Sequence, residues 1–183
     1  MSRSAAERRP PVPPVPAGGP GALLFVYGTL MFPEVVSALI GRVPPMESAA
    51  APGWRAARLR DRLYPGLVRR VEADEAPAAG RVIVGLDPWD RAVFDAFEGS
   101  AYEAAPLVLA DGRQADAYCW LDAAEATDED WDAHTFADGH LGDYVLRCAA
   151  WRARLPDPVG AEPDRCAEPD RCEPRFGVSR PVP

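Results

Sequence analysis

The sequence predicts an α+β fold whose strands form a small barrel. Three observations carry this: short β-like segments outnumber helical ones, the helical segments are interspersed among them, and a longer amphipathic helix closes the folded part. Ala22-Leu23-Leu24-Phe25-Val26-Tyr27 is continuously apolar and reads as a buried strand over 22–27. Pro33 suits the first position of a short helix over 33–41, with Val35, Val36, Leu39 and Ile40 on one face and Gly41 ending it. Strands at 46–51 and 54–60 flank the turn pair Pro52-Gly53. Tyr64-Pro65-Gly66-Leu67-Val68 starts irregular and becomes extended. Gly80 to Leu86 is the clearest β segment, with Val82, Ile83 and Val84 in succession.

The period then changes. Asp87-Pro88 supplies an N-cap and a first-turn proline, Trp89, Val93 and Phe97 recur every four residues, and Gly99 ends the helix. Strands at 102–109 and 114–121 surround the hairpin pair Asp111-Gly112. The Thr-x-x-Asp spacing from Thr127 resembles a capping box and predicts that the terminal helices begin there. In the last of them Tyr144, Cys148, Trp151 and Leu155 share a face.

Proline delimits the domain. Residues 1–20 hold six prolines and residues 156–183 hold seven, whereas the 135 residues between hold eight. Such flanks, poor in large apolar residues, cannot bury enough surface to offset ordering entropy; disordered ends at 1–20 and 156–183 and one domain at 21–155 are expected. The tail repeats Ala161 to Cys166 as Ala167 to Cys172, a pattern expected of replication slippage rather than of a working module. The net charge is −8, and all 20 basic residues are arginine; without a clustered basic patch, nucleic acid is not the expected partner. No apolar run approaches the roughly 20 residues of a membrane span, and no apolar stretch of a secretory signal is seen. Four cysteines without CxxC spacing fit a reducing cytoplasm, the expected location.

Two features suggest chemistry. A strand that turns abruptly into a helix through Tyr27-Gly28-Thr29-Leu30 leaves backbone N–H groups pointing at one spot, which suits a carboxylate or another small anion. Glycine permits close approach there and the threonine hydroxyl adds a donor or acceptor; the turn also fits an ordinary strand-to-helix connection. Glu98 ends a helix bearing Trp89, Val93, Phe94 and Phe97, where the helix dipole and apolar neighbours both disfavour the charged carboxylate. That raises its pKa toward the range of proton transfer, unless the side chain points into water. Tyr27, Tyr64, Tyr102 and Tyr118 lie on or beside strands, either as pocket walls or as core rings. Cys119 with His134 lacks an orienting third group, and Cys119 reads as a small core residue; two histidines without a carboxylate cluster do not predict a metal.

Phe25-Val26-Tyr27-Gly28-Thr29-Leu30, Leu63-Tyr64-Pro65-Gly66 and Phe97-Glu98-Gly99-x-x-Tyr102 resemble, in order and spacing, the gamma-glutamylcyclotransferase-like family, in the branch named after plant avirulence-induced proteins. The similarity covers about residues 22–122 and extends weakly through His140-Leu141-x-x-Tyr144-Val145. It implies a small mixed β-barrel with peripheral helices and a single cavity. It further implies substrate binding by Tyr27, Gly28, Thr29, Leu30, Tyr64 and Tyr102, and Glu98 as the acid/base. The implied reaction converts a small gamma-glutamyl amide to 5-oxoproline and a free amine, without metal or cofactor. Ala104 departs from the arginine common in the family two residues after the Tyr102 equivalent. A different amine-displacing reaction, or a barrel that binds a metabolite or partner without turnover, are the competing readings.

Overall fold

The computed structural model describes residues 23–70 and 76–155. The proline-rich residues 1–20, the duplicated hexapeptide and Cys166 and Cys172 lie outside the described residues. Eight strands form one mixed sheet: β1 (Leu24–Val26), β2 (Met46–Ala51), β3 (Trp54–Leu59), β4 (Pro65–Arg69), β5 (Ala78–Ile83), β6 (Tyr102–Val108), β7 (Gln114–Trp120) and β8 (Ala126–Asp130). The helices are α1 (Pro33–Ile40), α2 (Pro88–Glu98), α3 (Ala133–Gly139) and α4 (Leu141–Arg152). The strand order is β2-β5-β1-β7-β4-β3-β8, with β6 also on β7.

β7 organises the molecule. It pairs with β6 along its whole length, from Tyr102 opposite Trp120 to Val108 opposite Gln114. It also pairs in parallel with β1 at Asp116 and Ala117, and with β4 at Cys119. A strand has only two hydrogen-bonding edges, so β1 and β4 share one edge of β7 in succession and run the same way along it. The end of β1 therefore faces the start of β4.

This arrangement corrects the expected barrel. Closure requires the first and last strands to pair, and here β2 bonds only to β5 and β8 only to β3, so the sheet stays open. The exposed acids Asp128, Glu129 and Asp130 on β8 leave a charged edge, which discourages pairing with other chains.

Both faces of β1 are covered, which accounts for its unbroken apolar character. Leu24 and Val26 pack in one cluster with Val35, Val36 and Leu39 of α1, Val93 and Phe94 of α2, and Cys148 of α4. Phe25 and Tyr27 point the other way, into a second cluster with Trp54, Leu67, Val82, Leu107 and Ala117. On α4 the predicted inward face holds for Cys148, which is buried, and for Tyr144 and Trp151, which are half-buried; Leu155, predicted on the same face, lies past the end of the helix.

The terminal helices do not start at Thr127. Residues 126–130 are β8, and α3 begins at Ala133, capped by Asp132 accepting from the Thr135 N–H at 2.5 Å. Thr127 instead donates its hydroxyl to the Arg58 carbonyl at 3.0 Å, while Arg58 pairs with Glu129 at 2.7 Å and Arg70 with Asp130 at 3.1 Å. The acidic run is drawn into the sheet by arginines on β3 and beyond β4.

α2 starts as the sequence predicts. The Asp87 side chain accepts from the Asp90 N–H at 2.8 Å, and the Asp90 carboxylate accepts from the Asp87 N–H at 3.2 Å. Asp90 is almost wholly buried and also binds Arg42, just past α1. Asp90→Ala removes a reciprocal cap and leaves Arg42 without this partner. We expect a loss of about 2 kcal/mol, read by urea denaturation. No helix among the described residues is long and apolar enough to cross a membrane.

Candidate active site

A cavity of about 190 Å³ opens where β1 leaves the edge of β7. Each of the seven residues singled out from the sequence lines it: Tyr27, Gly28, Thr29, Leu30, Tyr64, Glu98 and Tyr102. Gly28 lies against the first residue of β4; a Cβ built on it would stand 2.7 Å from Pro65 Cγ and 2.9 Å from Cδ. The chain then closes one tight turn, with Met31 N–H donating to the Gly28 carbonyl at 2.9 Å and Phe32 N–H to that of Thr29 at 3.3 Å. The N–H groups of Thr29 and Leu30 donate to no protein group among the described residues, as expected for the first residues of a helical turn.

Glu98 is the last residue of α2, and Gly99 takes over at φ 65°. That left-handed conformation favours glycine and redirects the chain into β6. No hydrogen bond or ion pair engages the Glu98 carboxylate among the described residues, and protein closely surrounds the cavity into which it faces. Loss of hydration disfavours the charged form and pushes its pKa up to about 8.

Five tyrosines wall the cavity, Tyr27, Tyr64, Tyr102, Tyr118 and Tyr144. Their hydroxyls are largely committed. Tyr27 donates to the Tyr118 carbonyl at 2.5 Å and Tyr102 to the Pro65 carbonyl at 2.7 Å. Tyr118 donates to Asp95 at 2.6 Å, and the Tyr64 oxygen accepts from Arg62 at 2.8 Å. The Thr29 hydroxyl lies 3.4 Å from that of Tyr144. Burial raises Tyr27, Tyr102 and Tyr118 well above the ordinary phenol range and Tyr144 to about 12, and the Glu98 charge adds to each. These phenols stay neutral while Glu98 titrates. The rings shape the wall, and the turn and the carboxyl supply its open polar groups.

Cys119 is half-buried in β7, with its thiol pushed up to about 11 by burial, and no hydrogen bond joins it to His134. His134 is exposed on α3 and His140 is exposed at the junction of α3 and α4. Tyr144, which the sequence marked only by its place on an amphipathic face and in the weak His140-Leu141-x-x-Tyr144-Val145 similarity, joins the wall. Ala104 stands opposite Tyr118 across β6 and β7, and the guanidinium over the Tyr118 ring is that of Arg91 from α2.

Residues 24–136 match the family model described as gamma-glutamyl cyclotransferase, AIG2-like. The chain belongs to that family. The matched span includes every residue lining the cavity except Tyr144. Among AIG2-like relatives, AIG2-like protein A of Arabidopsis thaliana is 32% identical over 107 residues, or 56% of this chain and 63% of that protein. This chain thus spans less than two thirds of that relative's length. AIG2-like protein C of the same plant is 31% identical over 142 residues, or 73% of this chain and 81% of the relative. An Arabidopsis thaliana protein solved in solution shares the fold, with a TM-score of 0.54 at 20% identity over 87% of this chain and 99% of that one.

Proposed function

We propose that this protein is a gamma-glutamyl cyclotransferase that converts a small gamma-glutamyl amide into 5-oxoproline and a free amine. The observation that carries the reading is the pairing, across one cavity, of an unpartnered carboxyl raised to about 8 with a turn holding two uncommitted N–H groups. A gamma-glutamyl amide brings its own nucleophile. Its α-amine closes on the γ-carbonyl carbon to form a five-membered ring, so the protein has to fold the substrate and move protons.

The N–H groups of Thr29 and Leu30 hold the α-carboxylate, fixing the α-amine toward Glu98. The Glu98 carboxylate takes a proton from the α-ammonium, and the freed amine attacks the γ-carbonyl. The protonated Glu98 gives that proton to the leaving nitrogen as its bond to carbon breaks. The regenerated carboxylate takes the second proton, shed by the ring nitrogen, and passes it to the departing amine, which leaves as its ammonium form. Nothing else is consumed. An α-amine titrates at about 8 or above, so a carboxyl raised to about 8 exchanges protons with it at little cost. An ordinary carboxylate would be far too weak a base.

Incubation with a panel of gamma-glutamyl amines and gamma-glutamyl amino acids, with 5-oxoproline as the readout, tests the reading. Release by the wild type and its loss in Glu98→Gln support it; equal release by both sinks it. Thr29→Ala keeps the backbone donors and loses the hydroxyl together with the γ-methyl. It should raise KM about five-fold, equivalent to one hydrogen bond, with kcat little changed in steady-state assays.

A further inference from the structure

Arg91, Asp95 and Glu98 recur at helical spacing on α2 and share one face of it. Two of them are tied to β7. Arg91 donates through Nε to Asp95 Oδ1 at 3.0 Å and through Nη1 to Asp116 Oδ2 at 3.0 Å. Its guanidinium carbon lies 5.4 Å from the centroid of the Tyr118 ring, and the Tyr118 hydroxyl donates to the same Asp95 oxygen at 2.6 Å. Arg91, Asp95 and Tyr118 form a closed loop to which Asp116 is joined through Arg91, with Arg91 and Asp95 on the helix and Asp116 and Tyr118 on the strand. The carbonyl of Tyr118 in turn accepts the Tyr27 hydroxyl, so the loop reaches the turn on the opposite wall. The Arg91 side chain is 19% exposed and that of Asp116 11%, so bulk water screens this pair less than an open surface pair.

We propose that Arg91 is the positioning residue of this site: by locking α2 onto β7 through Asp116, Asp95 and Tyr118, it holds the Glu98 carboxyl against the cavity. The proposal rests on the cyclotransferase reading for its catalytic consequence and on geometry alone for the clamp. Only arginine suits the place. A planar fork serves two carboxylates while its face lies on a ring; an ammonium is a compact point charge with no plane to lie on the ring. Burial and the Asp95 bond raise the Tyr118 phenol, so it remains a donor through the neutral range.

The test separates clamp from charge. The groups whose charge acts on or is felt by Glu98 are Tyr27 just past β1, Tyr102 of β6, Tyr118 of β7, and Tyr144 and Cys148 of α4. All are neutral when Glu98 titrates. Glu98 is followed by the carbon-13 shift of its carboxyl in wild type, Arg91→Met and Arg91→Lys. Removing a nearby positive charge alone would raise the titration point. Loosening the clamp admits water and lowers it, by at least one pH unit in Arg91→Met. In turnover, kcat of Arg91→Met falls ten- to hundred-fold with KM within about three-fold, the signature of a misplaced reacting group. Arg91→Lys recovers part of both. An unchanged or raised Glu98 titration, with wild-type kcat, overturns the proposal. If Arg91→Met does not fold, Tyr118→Phe breaks the Asp95 link while keeping the ring. A lowered Glu98 titration there supports the clamp, and an unchanged one overturns it. If the wild type releases no 5-oxoproline from any substrate, the cyclotransferase reading fails while the titration still decides the clamp.

Discussion

Glu98→Gln should lower 5-oxoproline release by about 10²- to 10⁴-fold, the usual weight of a positioned acid/base. Glutamine keeps the shape of the side chain and cannot carry the proton. In the wild type, kcat/KM should rise on the acid side through about pH 8, where Glu98 becomes ionised; Glu98→Gln should lose that limb. The same substitution has an opposite effect on stability. The folded pKa of about 8 lies above the ordinary glutamate value of 4.5, so the native state binds the proton more tightly than the unfolded chain. The stability contributed by that proton is complete below about pH 4.5 and is lost as pH rises through about 8. Glu98→Gln should therefore be more stable than the wild type at pH 9 by on the order of a few kcal/mol, less than full conversion because the carboxyl borders the cavity. The difference should vanish at pH 4. Melting curves at the two pH values check the sign. A variant that is less active yet more stable at high pH is the mark of a residue kept for chemistry.

Gly28→Ala is the second substitution with a large expected effect. The added methyl would fall 2.7 Å from Pro65 Cγ and 2.9 Å from Cδ, and the proline ring is tied to the backbone of β4. Relief must come from moving the end of β1 away from the start of β4. Overpacking of this kind costs about 1–3 kcal/mol, measurable by denaturant titration. The displaced segment carries the Thr29 and Leu30 N–H groups, so KM should rise ten-fold or more, well beyond the Thr29→Ala effect. A fully stable Gly28→Ala with wild-type KM would show that the junction yields without cost and that the turn does not hold substrate.

The elements readable from sequence were those built from local interactions. The apolar run of β1, the Asp87-Pro88 start of α2 and the glycine at its end each depend on residues within a few positions. Thr127 to Asp130 misled because a Thr-x-x-Asp spacing serves a helix cap and an acidic edge strand equally well. Arg55, Arg58 and Arg70, more than 55 positions away, turn it into β8. The expected barrel failed for a similar reason. Whether a sheet closes depends on which edges remain free, and no local pattern records that β1 and β4 occupy one edge of β7 in turn.

The site divides along the same line. Sequence alone singled out the parts to which the proposed reaction assigns roles: the Tyr27 to Leu30 turn, whose glycine and helix start are local, and Glu98, placed by the apolar turn before it. Tertiary structure decided what surrounds them. It brought Tyr144 from the far end of the chain to the wall, committed the Tyr27 and Tyr102 hydroxyls to backbone carbonyls, and set Arg91 between two carboxylates. It also set how far Glu98, already expected to be raised, is pushed up, to about 8, because that shift comes from desolvation of the carboxyl on burial. Turns and caps are settled by neighbours in the chain, whereas burial is a property of the packed molecule.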